Sequence, residues 1–158
     1  GRVVLRTLLL TKPTSSPNAM PRHTIFWPVL CLVLWTFLVL VQVPIRRFHA
    51  AFKGRVVAAD FRCGESEHVP ADVALPNRVF MNLVEVPTLF YVVCLILYVT
   101  GTVTPACVAL AWLYFALRIA HSLIYLTYNH VVHRFAVFAT SNLVVLAMLT
   151  CLAVRLSD

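Results

Sequence analysis

The stretch RVFMNLVEVP, from Arg78 to Pro87, sets the hardest condition on any fold of this chain. It opens an apolar run that reaches Gly101, yet it carries Arg78, Asn82 and Glu85 at i, i+4 and i+7, one stripe on a helix. A charge near the centre of a bilayer costs roughly 2.5–3.5 kcal/mol on insertion scales, so such a stripe has to face protein or a water-filled cavity. The rest of the chain must supply its partners.

That run belongs to a membrane protein. Hydrophobic residues make up 61% of the chain and charged ones 12%, against about 25% charged in a soluble domain. The 158 residues hold four spans of about 20 residues with their connections and leave no room for a second domain. The expected fold class is all-α, an integral membrane bundle of four transmembrane helices.

Residues 1–19 hold a short apolar core, Val3 to Leu10, interrupted by Arg6 and followed by a Pro/Ser/Thr stretch. This is too short and too charged for a span, and 1–19 is read as a disordered leader, with Met20 standing directly before the first membrane segment. Ile25 to Val43 is uncharged and long enough to span, and Pro44 is expected to end it. A long polar connection, Pro44 to Pro76, follows. The second span, Arg78 to Gly101, and the third, Pro105 to about Tyr128, are joined by the tight turn TGTVTP and must be antiparallel neighbours. Arg118, His121 and Tyr125 form a second polar stripe in the third span. The connector NHVVHR, 129–134, leads into a fourth span, Phe135 to Val154.

Lysine and arginine counts orient the bundle. The end holding the 44–78 and 129–134 connections carries Arg46, Arg47, Lys53, Arg55, Arg62, Arg78 and Arg134; the other carries Arg22 and Arg155, with Arg2, Arg6 and Lys12 in the leader. Both connections are expected to be cytoplasmic and both termini on the opposite side. The net charge of +7 is then chiefly a topology signal. Nucleic acid is excluded as a partner because no soluble basic face is left to meet phosphates.

Opposed directions bring the two stripes into register. At 1.5 Å per residue Glu85 lies about 10 Å deeper than Arg78, and Arg118 about 10 Å deeper than Tyr125. The expected levels are Glu85 with Arg118, Asn82 with His121, and Arg78 with Tyr125, with Arg134 opening the fourth span at the same surface. A pocket rich in arginine suits an anionic ligand, since Arg78 and Arg134 find no acidic partner in the pattern. The bland alternative is a buried Glu85–Arg118 pair that only holds the bundle together.

These residues resemble a known family. R-x-x-x-N-x-x-E followed by Pro87 and Phe90 (Arg78, Asn82, Glu85), then R-x-x-H-x-x-x-Y (Arg118, His121, Tyr125) and Arg134, is similar to the membrane-associated proteins in eicosanoid and glutathione metabolism, the MAPEG family. The likeness covers 25–154 and is greatest to microsomal glutathione transferase-like members. It implies a homotrimer of four-helix subunits, with glutathione as co-substrate between neighbouring subunits near the cytoplasmic surface. It further implies that Arg78, Asn82, Glu85, Arg118, His121, Tyr125 and Arg134 form the glutathione site, with Arg134 as the catalytic residue that stabilises the thiolate. Prostaglandin E synthases of the family carry a serine and a tyrosine where this chain has Phe135 and Phe138. That departure favours transfer of glutathione to lipophilic electrophiles, or reduction of hydroperoxides, over a specialised isomerase.

Other candidates are plainer. Cys31, Cys94, Cys107 and Cys151 lie in spans without a C-x-x-C, and read as small hydrophobes; Cys63 is the one in a connection. His121, His130 and His133 lack accompanying carboxylate or thiolate ligands, so no metal site is expected. Two function classes remain open: a glutathione-dependent membrane enzyme with a lipophilic small-molecule substrate, and a catalytically silent member that keeps the pocket for structure. The partners expected in either case are membrane lipid and further copies of the chain.

Overall fold

The computed structural model describes residues 21–62 and 64–157, so the leader and Cys63 lie outside the described residues. A 3-10 turn, Arg22–Ile25, runs into helix α1, Phe26–Phe52. Then come α2, Ala71–Glu85; α3, Pro87–Thr100; α4, Pro105–Leu126; and α5, Val131–Ser157. Four segments are long and apolar enough to cross a membrane: Arg22–Phe52, Ala71–Thr100 (α2 with α3), Pro105–Leu126 and Val131–Ser157. The chain is an integral, multi-pass membrane protein.

Two prolines do not act as the sequence suggested. Pro44 was expected to end the first span, but α1 carries it in its interior and continues to Phe52. Pro76, expected to close the connection, lies inside α2. A proline removes one ladder bond, and here the turns beyond it are held by tertiary contacts. Ala50 joins Val56, Val69, Val73 and Ala74 in a small core of their own, and Arg47 donates from Nη2 to Glu65 Oε1 at 3.0 Å. The connection is therefore shorter than its polar composition suggests. The fourth segment likewise starts earlier, at Val131, and so takes Arg134 into its first turns.

Within the second segment the helix breaks at Val86. Pro87 opens α3 and has no N–H to offer the preceding turn, so carbonyls at the end of α2 need other donors. The Thr88 hydroxyl donates to the Val84 carbonyl at 2.6 Å, and the Asn82 carbonyl is met from another helix, as described below. At the far end Gly101 stops α3 in the left-handed conformation at φ +72. The Arg22 guanidinium lies so close that a Cβ at Gly101 would stand 2.9 Å from Nη1. This cation at a helix C-terminus ties the start of the first segment to the second turn of the bundle.

The bundle core is built from Leu32, Val39, Val79, Leu83, Phe90, Leu97, Ala111 and Met148, among others, with Phe90 stacked on Tyr114 at 4.4 Å between centroids. Many large apolar side chains, such as Phe37, Leu95 and Leu146, face outward. In lipid that exposure carries little cost, and packing and interhelical hydrogen bonds hold the helices together.

The connection is pinned by Arg55 on Asp72, at 2.8 and 3.0 Å, and by Asp60. Asp60 accepts from the Val57 N–H at 2.9 Å and from the Ser66 hydroxyl at 3.1 Å. Those bonds hold its carboxyl below the usual carboxylate range, the Val57 bond first. A depressed carboxyl contributes its stabilisation fully above the unfolded value of about 3.9, and the contribution is lost as pH falls through the folded value. Cleavage of the connection by an acid-active protease should therefore rise as the pH is lowered past that range. Asp60→Asn should not protect the segment at any pH, and acid resistance equal to that at neutral pH would contradict the assignment.

Candidate functional site

The site is organised by the break at Pro87. Arg118, fully buried on α4, donates from Nη2 to the Asn82 main-chain carbonyl at 2.8 Å and to Asn82 Oδ1 at 2.9 Å. A carbonyl left out of the helical ladder and the amide of the same residue thus make a two-oxygen acceptor. The Arg118 guanidinium thus meets Asn82, one turn nearer the connection end than Glu85, the residue expected at its level. The Glu85–Arg118 pair of the bland alternative does not form among the described residues. Among the described residues the ion pairs are Arg47–Glu65 and Arg55–Asp72. The other Arg118 nitrogens, Nε and Nη1, make no hydrogen bond among the described residues. The guanidinium instead lies 5.9 Å from the Tyr114 ring centroid and 5.7 Å from that of Phe138.

Above this layer a cavity of about 320 Å³ opens at the end of the bundle where α4 stops and α5 starts. Asn82, His121, Tyr125 and Arg134 line it, with Phe135 and Phe138. His121 is 3% exposed and packs against Tyr125 at 6.0 Å and Phe138 at 5.8 Å. The half-buried Arg134 lies 4.1 Å over the Tyr125 ring and donates from Nη1 to Asn129 Oδ1 at 2.7 Å. Its charge thus meets a π-face and a neutral oxygen, with no carboxylate in hydrogen-bonding reach among the described residues.

The structure brings four of the seven sequence candidates together at one cavity and places Arg118 directly behind, holding Asn82. Arg78 and Glu85 do not line it: both are exposed on α2. Sequence reasoning missed Asn129. Its φ of +47 is the left-handed conformation that asparagine tolerates, and its N–H bonds back to the Ile124 carbonyl at 2.8 Å, which closes the end of α4. An asparagine directly after a helical run was the available signal. Fixed there, its side chain aims Arg134.

The arrangement can bind an anion. A guanidinium, a phenol, an imidazole and an amide offer donors for carboxylate or thiolate, and the two phenylalanines offer apolar contact beside them. That donor set suits a ligand that carries carboxylates and a thiol. No curated protein and no solved structure matches the chain. The family model described as MAPEG family matches residues 25–154, a range that takes in every residue of the cavity. The chain belongs to the MAPEG family.

Proposed function

We propose that this protein is a glutathione-dependent membrane enzyme that transfers glutathione to, or reduces, lipophilic electrophiles or hydroperoxides that arrive through the bilayer. The observation that carries this reading is the cavity shared by Asn82, His121, Tyr125 and Arg134, where an arginine without an acidic partner among the described residues faces apolar walls. Arg134 is the catalytic residue. Its guanidinium favours the thiolate over the thiol, whose pKa in free cysteine is about 8.5, and so raises the concentration of nucleophile at neutral pH. In transfer to a carbon electrophile the thiol proton leaves to water. The sulfur pair then forms the S–C bond while the leaving group departs with its own pair. Phe135 and Phe138 supply the apolar surface on which the second substrate meets the sulfur.

Arg78 and Glu85 enter the reading through assembly. Both are exposed on the helix that presents Asn82 to the cavity, so they reach glutathione where a neighbouring subunit covers that edge. The proposed assembly is a homotrimer, with the ligand between subunits and the 53–70 and 127–130 connections on the cytoplasmic side. Glutathione titrated into the detergent-purified protein should bind with micromolar to millimolar affinity. Arg78→Ala should weaken it by about tenfold or more, the loss of one hydrogen bond from a charged group. Native mass spectrometry should show three copies. An unchanged affinity in Arg78→Ala, or monomer alone in mild detergent, would contradict the shared site.

A further inference from the structure

The connection after α1 folds back on that helix and leaves a second cavity, a groove of about 470 Å³ that the proposed reaction does not use. Val43, Phe48 and Ala51 of α1 face Val57, Ala58 and Phe61 of the connection across it, and Arg47 is the one polar side chain in the lining. Its walls are fixed. Arg47 holds Glu65 at 3.0 Å and lies 4.5 Å over the Phe61 ring, while Asp60 locks the turn that carries Ala58 and Phe61.

Depth and charge narrow the occupant. Val43 ends the uncharged run of the first span, and Ala51 lies about 12 Å farther along the helix, so the groove runs from the hydrocarbon edge into the headgroup layer. Phe48 is 65% exposed there and Phe52 90%. Arg46, Lys53 and Arg62, each next to or within two residues of a lining residue, are exposed and make no ion pair among the described residues. Of the connection's carboxylates, Glu65 and Asp72 are taken by Arg47 and Arg55, with Arg46 also near enough to act on Asp72, and Asp60 is taken by the Val57 N–H and the Ser66 hydroxyl, which leaves Glu67 as the exposed carboxylate without an ion pair among the described residues.

The geometry points to a bound anionic phospholipid of the adjacent leaflet, with upper acyl methylenes against Phe48, Ala51 and Phe61 and the headgroup among Arg46, Lys53 and Arg62. A basic cluster beside a membrane segment is what anionic headgroups recognise. A zwitterionic lipid could fill the groove but would leave those cations unmatched. A second copy of a chain with 13 Lys and Arg against 6 Asp and Glu has little acidic surface to offer them. The inference is independent of glutathione.

The test is native mass spectrometry of the full, delipidated chain titrated with phosphatidylserine or phosphatidylcholine. Phosphatidylserine should be retained at one molecule per subunit and bind about fivefold or more tighter than phosphatidylcholine. Combined Arg46→Gln, Lys53→Gln and Arg62→Gln should bring the two lipids to equal affinity. Ala51→Trp, which fills the groove, should lower retention of both. The rim variant changes only exposed side chains, so it decides the matter even where the tryptophan impairs folding. Equal affinities in the wild type, or a serine-lipid preference that survives the rim variant, would overturn the proposal. So would a groove-filling variant that dissociates subunits while lipid retention stays unchanged, since the groove would then be covered by another copy.

Discussion

Arg134→Ala is expected to abolish thiolate formation on bound glutathione and to slow turnover of a generic aryl halide by about 100-fold or more, the cost of removing one pre-aimed donor from a developing or stabilised anion. The side chain is aimed by Asn129, at 2.7 Å, and by the face of Tyr125, at 4.1 Å, so its orientation is set before any ligand arrives. Binding energy spread over Asn82, His121 and Tyr125 should survive, so affinity should fall far less than turnover. Arg134→Lys keeps the charge but loses the planar fork that meets Asn129 and stacks on the ring, and an intermediate rate is expected. Stopped-flow turnover together with calorimetric binding separates the two quantities. Equal losses in both would make Arg134 a binding residue only.

The second large effect lies one layer deeper and concerns stability. Asn82→Leu removes one of the two oxygens that hold the buried Arg118 and should cost about 1.5–3 kcal/mol, as for a hydrogen bond to a charged group. Adding Arg118→Met should recover most of that loss, because an apolar side chain of similar length replaces a buried cation with unsatisfied nitrogens. Glu85→Leu, at a position that makes no ion pair within the subunit among the described residues, should shift unfolding less than Asn82→Leu. Thermal unfolding of the variants in one detergent checks the set. A severe loss in Glu85→Leu with none in Asn82→Leu would restore the charge pair that the stripe alone suggested.

Much of this architecture is legible in the residues. Four apolar stretches, a uniform turn at TGTVTP and two polar stripes lead directly to a four-span membrane bundle, and the spacing of those stripes points to the family. The pairing differs by a turn for a physical reason. Counting rise per residue places main chains and not the end of a long side chain, and the Arg118 guanidinium finds two oxygens, carbonyl and amide, on Asn82 beside the break before Pro87. Pro44 and Pro76 misled too, since a local preference against helix yields to the packing of Ala50, Val73 and Ala74 beyond them. Asn129 escaped notice because its role depends on a backbone conformation that no periodicity reports. The groove beside α1 was hidden for another reason: it comes from a connection that folds back, as the Arg47 contacts with Phe61 and Glu65 and the packing of Ala50 on Val56 and Val69 show.

If Arg134 acts as proposed, its cavity binds glutathione as the thiolate. An ultraviolet pH titration of glutathione bound to the wild-type protein measures this directly. The bound thiol should titrate clearly below the value of about 8.5 for free cysteine. Bound glutathione that titrates as it does in water, with no electrophile turned over, would contradict it and leave a catalytically silent family member.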